Sequence, residues 1–247
     1  MRRFFTEPHN INGSTAIISE DAAHITKVLR MNVGDEILLF DGTGYEYISR
    51  LTSVCKEQCE AEILSSSFSE QEPSVKVTIY QGIPKSGKME GIIQKSVELG
   101  VFSIVPVAMD RCVSKLDGGK KELEKIKRWN KVAVEAAKQC GRGILPQVEP
   151  PLTFDKAIER MAESELAIMP YEMLAHMGVA SLKAVLQENK ATDISVIIGP
   201  EGGFSDSEAD KAKQAGIKLV GLGKRILRTE TVSSAVLAMV MYENNEM

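Results

Sequence analysis

The chain has 247 residues, 43% of them hydrophobic and 26% charged, with a formal net charge of −4. This composition is typical of a globular protein, and the length fits one large domain or two smaller ones. It excludes a membrane segment, because no stretch reaches the roughly 18 apolar residues that a span requires. The start, MRRFFTEPHN, has no apolar stretch behind its two arginines, so we expect that it is not a signal peptide. We therefore expect a cytoplasmic protein that contacts no membrane.

The middle of the chain is basic although the whole chain is acidic. Residues 73–150 hold 14 Lys and Arg against 8 Asp and Glu, whereas residues 1–72 hold 6 against 12 and residues 151–247 hold 10 against 14. A polyanionic partner should therefore contact the middle segment.

Two kinds of cation occur within this basic segment. The run 115–131 is typical of a solvated helix face, and we favour that interpretation of it. Arg111, Lys138 and Arg142 lie beside glycines or predicted element ends, and they are better candidates for phosphate contacts.

Cysteine usage gives no sign of a metal site. Cys55 and Cys59 are close together, but no second Cys or His pair stands at a spacing that would complete a zinc site. Cys112 and Cys140 are isolated. We expect reduced structural thiols and no metal.

The first 70 residues predict a small β-rich domain. A helix-like stretch at 21–31 precedes two partly alternating runs, 36–40 and 45–51, which predict a hairpin around the glycine-bearing turn 41–44. Residues 59–64 could form another strand. The serine-rich stretch 65–73 that follows is typical of a linker.

From Val75 onward, strands and helices alternate, which predicts an α/β domain with a mostly parallel sheet. The predicted strands are 75–82, 102–107, 166–170, 195–198 and 217–222. The predicted helices are 88–99, 122–139, 154–161, 182–189 and 233–244.

The stretch 198–234 carries the strongest functional signal. Two glycine-bearing loops follow the strands 195–198 and 217–222, and the helix between them has a capping box of Ser205 and Glu208 and a stop at Gly216. Ligands of parallel sheets bind beyond the carboxyl ends of the strands, where both loops should lie. The sequence therefore predicts a small-molecule site there.

The first loop does not resemble a phosphate cradle. It lacks the Lys and Ser or Thr of a P-loop and the three-glycine spacing of a dinucleotide fingerprint. Its carboxylate, Glu201, would repel a pyrophosphate on the following helix. A neutral or cationic ligand held by backbone groups fits better, and the alternative is that the glycines merely permit a tight turn.

The two loop motifs, IGPEGGFS at 198–205 and LGKRILRTET at 222–231, resemble the signature pair of the RsmE family. Further matches are RRFF at 2–5, VLR at 28–30, QKSVELGV at 94–101 and EAAKQCGR at 135–142, so the similarity covers nearly the whole chain. RsmE enzymes are SPOUT-class methyltransferases that methylate N3 of a uridine in 16S ribosomal RNA.

The resemblance implies a fold and a set of partners. It implies a PUA-like β-barrel RNA-binding domain at 1–70 and a SPOUT methyltransferase domain at 74–247 whose mostly parallel sheet carries a trefoil knot. It also implies that S-adenosyl-L-methionine is the cofactor, that the small ribosomal subunit is the partner, and that the protein is a homodimer. Twelve residues are expected to bind the cofactor: Ile198, Gly199, Pro200, Glu201, Gly202, Gly203, Leu222, Gly223, Ile226, Leu227, Thr229 and Thr231.

The chemistry of uracil N3 suggests the catalytic candidates. N3 is a weakly acidic imide N–H, so an enzyme needs a base or a cation that stabilises charge on the uracil oxygens. Arg228 is our candidate cation, and Glu201 or Glu230 is the candidate base. The structural alternatives are a backbone cap for Glu201 and a salt bridge for Arg228, to Glu230 or across a dimer.

Two other functions compete with the methyltransferase interpretation. One is a non-catalytic RNA-binding or ribosome-assembly factor with the same fold, and the other is a dinucleotide-dependent enzyme. RNA contacts are expected from Arg2, Arg3, Arg30, Arg111, Lys138, Arg142 and Arg228.

Overall fold

The computed structural model describes residues 1–85, 87–113, 119–173 and 181–247. The chain divides into two compact units, one formed by residues 1–72 and 134–145 and the other by residues 73–133 and 146–247. The sequence analysis did not anticipate that residues 134–145 belong with the first unit. Lys115, which opens the predicted basic run, lies outside the described residues.

The first unit is built on a six-stranded sheet. Its core is a buried cluster that includes Phe4, Ile18, Ile37, Leu39 and Leu51. The strands are β1 (Arg2–Phe5), β2 (Ile11–Asn12), β3 (Thr15–Ile18), β4 (Glu36–Phe40), β5 (Tyr45–Val54) and β6 (Cys59–Phe68). Their order is β1-β4-β5-β6-β3-β2, with β1 parallel to β4 and the other pairs antiparallel. This order has two ends, so closure into a barrel stays a prediction.

The predicted hairpin is confirmed by the antiparallel pairing of β4 with β5. The helix-like stretch is confirmed in part, because it contains a single turn of π-helix, His24–Val28. The linker expectation is wrong at its start: the serine-rich stretch begins inside β6, where Ser65 and Phe68 pair with Ile48 and Tyr45 of β5. Composition misled there, because strand pairing across the sheet overrides a local preference.

The second unit contains a parallel sheet with helices between its strands. The strands are β7 (Lys76–Gly82), β8 (Ser103–Ala108), β9 (Gln147–Val148), β10 (Leu152–Thr153), β11 (Leu166–Pro170), β12 (Asp193–Ile198) and β13 (Lys218–Val220). The helices are α1 (Lys88–Glu98), α2 (Lys120–Cys140), α3 (Phe154–Met161), α4 (Leu182–Glu188), α5 (Asp206–Gln214) and α6 (Thr229–Glu243). α2 begins in this unit and ends in the first one.

All ladders of this sheet are parallel, as predicted. The strand order is β10-β8-β7-β12-β11-β13, with β9 also beside β8. β7 and β12 are buried along nearly their whole length, which is typical of a parallel sheet covered on both faces. α3 and α5 contribute to the buried cluster around Tyr80 and Ile197, while α6 contacts β7 and β12 and packs with α1 and α4. The trefoil knot stays a prediction.

One detail of the predicted β-α-β unit is different in the structure. β12 and β13 are parallel but are not neighbours, because β11 pairs with both and lies between them. The helix between them begins as predicted. The Ser205 hydroxyl accepts from the Glu208 N–H at 3.2 Å, and the Glu208 carboxylate accepts from the Ser205 N–H at 2.9 Å. This reciprocal capping box fixes where α5 leaves the first glycine loop.

Arg142, a predicted phosphate contact, is a structural residue of the first unit. Its Nη2 lies 2.7 Å from Oε2 of Glu72, and the two side chains are only 6% and 8% exposed. Glu72 also accepts from the N–H groups of Gly143 and Ile144 at 2.8 and 2.9 Å. The RNA-binding assignment of Arg142 is therefore withdrawn, because its charge is buried against a carboxylate.

Lys138 is paired in a similar way. Its Nζ lies 2.8 Å from Asp21 and 3.1 Å from Glu135, and its side chain is largely buried. Burial lowers the pKa of Lys138, but the two carboxylates outweigh it and hold the pKa above its ordinary value. This ammonium serves the fold of the unit, so its predicted contact with RNA is also withdrawn.

Arg3 is held inside the first unit as well. Its Nη2 donates to Glu46 at 3.0 Å, and its guanidinium lies 4.6 Å from the ring centroid of Phe40. These contacts argue against a phosphate role for Arg3. Arg2 and Arg30 are exposed, and their predicted RNA contacts stay predictions.

Three further observations concern the described residues. In these ranges, no helix combines the length and the apolar character needed to cross a membrane. The same ranges contain no group of three or more His, Cys, Asp or Glu side chains placed to hold a metal. All four cysteines are free thiols.

Replacing Arg142 by Met should destabilise the protein strongly, because it leaves the Glu72 carboxylate buried without its partner. Breaking a buried ion pair from one side costs about 3–5 kcal/mol. The matched control is Arg50→Ala, which breaks an exposed pair with Glu36 and should cost about 1 kcal/mol or less. Urea unfolding followed by far-ultraviolet circular dichroism measures both. Equal small losses would contradict a structural role for Arg142.

Candidate active site

A cavity of about 440 Å³ opens at the carboxyl edge of the parallel sheet. Because β7, β11, β12 and β13 run in parallel, the segments that follow them meet at this edge. The walls are formed by Lys88, Val232 and the segments 170–172, 198–204, 222–223 and 225–229. This is the place and the pair of loops that the sequence predicted.

The first loop is tight enough to require its glycines. A Cβ on Gly199 would lie 3.2 Å from backbone atoms of Gly203, closer than ordinary contact. Gly203 has a φ of +67°, and a Cβ there would collide with the Glu172 carboxylate. Behind the loop, a Cβ on Gly202 would lie 2.9 Å from Cβ of Arg111. Backbone therefore forms the wall of the cavity here.

Arg111 supports the first loop from outside. Its Nη1 donates to the Gly202 carbonyl oxygen at 3.0 Å. This contact gives the side chain a role in the second unit itself, and its predicted contact with RNA phosphate stays a prediction.

A buried hydroxyl joins three parts of the site. Oγ1 of Thr229 donates to the Gly199 carbonyl oxygen at 2.7 Å and accepts from Nε2 of Gln81 at 2.9 Å. Gln81 lies at the end of β7, Gly199 follows β12, and Thr229 is the first residue of α6. One side chain thus fixes both glycine loops to the central strand of the sheet.

Lys88, which the sequence analysis did not connect with the site, makes a second link between the loops. Its Nζ lies 3.2 Å from Oε1 of Glu201 and 3.3 Å from Oε2 of Glu230. Glu201 also accepts from the N–H of Lys85 at 3.2 Å. The ammonium therefore stands between the first loop and the first turn of α6.

Both carboxylates have lowered pKa values. Burial raises the pKa of Glu201, but its own backbone N–H, the Lys88 ammonium and the Lys85 N–H together bring it below the ordinary value. The pKa of Glu230 is lowered by its own backbone N–H, against desolvation, and further by Lys88 and Arg228. A lowered pKa makes a carboxylate a weaker base, which argues against Glu201 or Glu230 as the catalytic base, and that role stays a prediction.

The second loop ends earlier than predicted. Arg228 is the N-cap residue of α6, with extended φ and ψ of −70° and 151°. Its guanidinium is exposed at the cavity, beside the end of a helix where unpaired N–H groups create positive potential. Glu230 and Thr231 belong to the first turn of the helix. The salt bridge from Arg228 to Glu230, considered as an alternative, is absent among the described contacts.

Eleven of the twelve predicted cofactor residues line the cavity. The exception is Thr231. The sequence analysis missed Lys88, Tyr171, Glu172 and Phe204. Tyr171 and Glu172 follow β11, so the rule that parallel strands end at one edge could have found them. Lys88 carries no such signal, because its role depends on contacts with residues far along the chain.

Comparison with known protein families defines the class to which this fold and site belong. Residues 17–64 match the RNA methyltransferase PUA domain, and residues 70–241 match the RNA methyltransferase domain. The two matches follow one another along the chain and include both glycine loops. The protein is thus an RNA methyltransferase by class.

Individual relatives narrow the class to a family. The chain is 34% identical over 230 residues to ribosomal RNA small subunit methyltransferase E of Bacillus subtilis, covering 92% of this chain and 90% of that protein. A crystal structure of the Neisseria gonorrhoeae enzyme of that name, bound to S-adenosyl methionine, is 32% identical with a TM-score of 0.85, covering 98% and 97% of the two chains. A methyltransferase of Legionella pneumophila in complex with the same cofactor is 31% identical with a TM-score of 0.84, covering 97% and 96%. The chain belongs to the ribosomal RNA small subunit methyltransferase E (RsmE) family.

Replacing Thr229 by Val should destabilise the protein, because the Gln81 amide and the Gly199 carbonyl lose a buried partner. An unsatisfied buried group costs about 1–3 kcal/mol. Thr229→Ser keeps the hydroxyl and serves as the matched control, with a smaller loss from the missing methyl group. Thermal unfolding compares the two variants. If Val and Ser were equally stable, the hydroxyl would not hold the loops.

Proposed function

We propose that this protein transfers a methyl group from S-adenosyl-L-methionine to N3 of a uridine in 16S ribosomal RNA of the small ribosomal subunit. The observation that carries the proposal is the cavity walled by both glycine loops, in a member of the RsmE family. The structure of the Neisseria gonorrhoeae relative is bound to the same cofactor. No observation favours the non-catalytic alternative.

The cavity fits this cofactor in size and in chemistry. A volume of about 440 Å³ lies in the range of small-molecule sites. The glycines of the first loop offer main-chain groups, and Glu172 places a carboxylate in the wall for a cationic ligand. We propose the segments 198–203 and 222–227 as the parts of the chain that hold it. When bound, S-adenosyl-L-methionine supplies a methyl group on a positively charged sulfur.

Arg228 is the proposed catalytic residue of this chain. Uracil N3 is a weakly acidic imide, and its negative charge, once the proton has left, spreads to the neighbouring oxygens. A guanidinium at the cavity and the N-terminal end of α6 both favour that charge. Since Glu201 and Glu230 are held by Lys88, the proton is not assigned to either carboxylate. The proton passes to solvent water, and its departure is favoured because Arg228 and the helix end stabilise the anion that remains.

The proposed activity is tested by mapping ribosomal RNA. Mass spectrometry of 16S RNA from cells with and without this protein should show one uridine that loses its N3 methyl group when the protein is absent. Purified protein and undermethylated small subunits should then restore the group in the presence of the cofactor. RNA binding without methyl transfer would establish the assembly-factor alternative instead.

Arg228→Ala should lower methyl transfer about 100- to 1000-fold, the usual effect of removing one group that stabilises developing charge. Cofactor affinity should be largely kept, because the cavity is walled mainly by the glycine loops. Lys224→Ala, an exposed cation of the same loop outside the cavity wall, is the matched control. Single-turnover methyl transfer and calorimetry with S-adenosylhomocysteine measure the two quantities. Unchanged turnover would remove Arg228 from the mechanism.

We propose α2 as a docking surface for the RNA backbone. Lys120, Lys127 and Lys131 are exposed and spaced seven and four residues apart, so they share one face of the helix. Among the described residues, none of the three forms an ion pair. Glu124 shares this face but leaves it net positive. We therefore assign the phosphate contacts to these lysines rather than to the paired cations of the first unit. The proposal replaces the interpretation of this run as a merely solvated helix face.

Lys127→Gln combined with Lys131→Gln should weaken RNA binding and reduce its dependence on salt. Each phosphate contact contributes about 0.7–0.9 to the slope of log affinity against log salt concentration, so two contacts should lower the slope by about 1.5. Lys183→Gln with Lys213→Gln removes the same charge from α4 and α5 and is the control. RNA titrations at several salt concentrations give the slopes. Equal slopes for the two double variants would refute the docking surface.

The homodimer and the cytoplasmic location are further parts of the proposal. Met239 and Tyr242, three residues apart on α6, are 45% and 74% exposed, which supports packing of this helix on a second copy. Four free thiols support a reducing compartment, where the RNA substrate also resides.

A further inference from the structure

Lys88 is placed where three separate parts of the candidate site meet. It is the first residue of α1, after β7, and it lines the cavity. Its two ion-pair partners belong to different walls: Glu201 to the loop after β12 and Glu230 to the first turn of α6. Among the described residues, no other cation of the cavity wall forms ion pairs with both walls.

We propose that Lys88 is a positioning residue that holds the second glycine loop and the start of α6 against the first loop for cofactor binding. This inference rests on the proposed function, since it concerns the same cavity. It assigns the two carboxylates to holding Lys88, and it gives the β7–α1 connection a part in the site.

The two contacts of Lys88 are not equivalent. Glu201 is also anchored by the N–H of Lys85, so the first loop keeps a connection to this part of the chain when Lys88 is lost. No second cation is paired with Glu230 among the described residues, although Arg228 lowers its pKa from a distance. Loss of the ammonium should therefore act mainly on the second loop.

The positive charge of Lys88 predicts a pH dependence of binding that a purely packing role would not produce. Glu201 and Glu230 both lie within about 3.3 Å of one nitrogen, so they are close to each other. Lys88 keeps both carboxylates ionised together, and Arg228 is the other cation that acts on Glu230. Without the ammonium, two like charges remain and the pKa of at least one carboxylate rises. The repulsion should be greatest at neutral pH and should decrease as the pH falls and one carboxylate takes up a proton.

The experiment is calorimetric titration of the full-length protein with S-adenosylhomocysteine between pH 5 and pH 8. Lys88→Met should weaken binding about tenfold at neutral pH, and the loss should become smaller towards pH 5. The wild type should bind equally across this range, because the pKa values of both carboxylates are lowered. Lys88→Arg, which keeps the charge, should restore most of the affinity and the flat pH profile of the wild type. Lys95→Met, which removes an exposed lysine from the same helix, is the matched control and should bind as the wild type does.

The possible results distinguish a failure of the proposed function from a failure of the role of Lys88. If the wild type does not bind S-adenosylhomocysteine, the proposed function fails and the role of Lys88 fails with it. If the wild type binds and Lys88→Met binds equally at every pH, only the role of Lys88 is overturned. Should Lys88→Met fail to fold, Glu230→Gln decides, because it removes the same contact from the other side. Glu230→Gln should weaken binding by the same factor at every pH, because it leaves no second carboxylate to repel Glu201, and full affinity in it would overturn the proposal.

Discussion

Parallel pairing of four strands is the constraint on which the rest of the site depends. β7, β12, β11 and β13 lie side by side, so four segments from different parts of the chain emerge at one edge. None of these segments could build the cavity alone. The first glycine loop supplies a backbone wall because it folds back on itself, so that a Cβ on Gly199 would crowd Gly203 of the same loop.

Two sets of polar contacts, one buried and one partly exposed, hold that edge of the sheet together. Thr229 makes a buried link in which every partner is neutral, whereas Lys88 makes a partly exposed link between two carboxylates. A neutral buried hydrogen bond resists changes of pH and salt, while an exposed ion pair responds to both. The floor of the cavity is therefore insensitive to solution conditions, and its rim is sensitive to them.

Local signals in the sequence predicted the second unit well and the first one less well. The apolar runs of β7 and β12 and the capping box of Ser205 are local signals, and each element formed where it was expected. The insertion of β11 between β12 and β13 is a matter of sheet order, which no local pattern records. Roles of charged residues were hardest to predict. Arg142 and Lys88 are both cations beside glycines, but distant carboxylates bury one in the fold and place the other at the cavity.

The discontinuous first unit has a consequence for how the protein is made. Glu72 is buried against Arg142, and residues 134–145 reach the first unit only after part of the second unit has been synthesised. A nascent chain that ends before Arg142 would have to bury this carboxylate without its partner, at a cost of several kcal/mol. The first unit therefore begins to leave the ribosome before the second, but its fold cannot be completed until residues 134–145 have followed. Synthesis from the amino terminus delays its completion until the end of α2 has emerged.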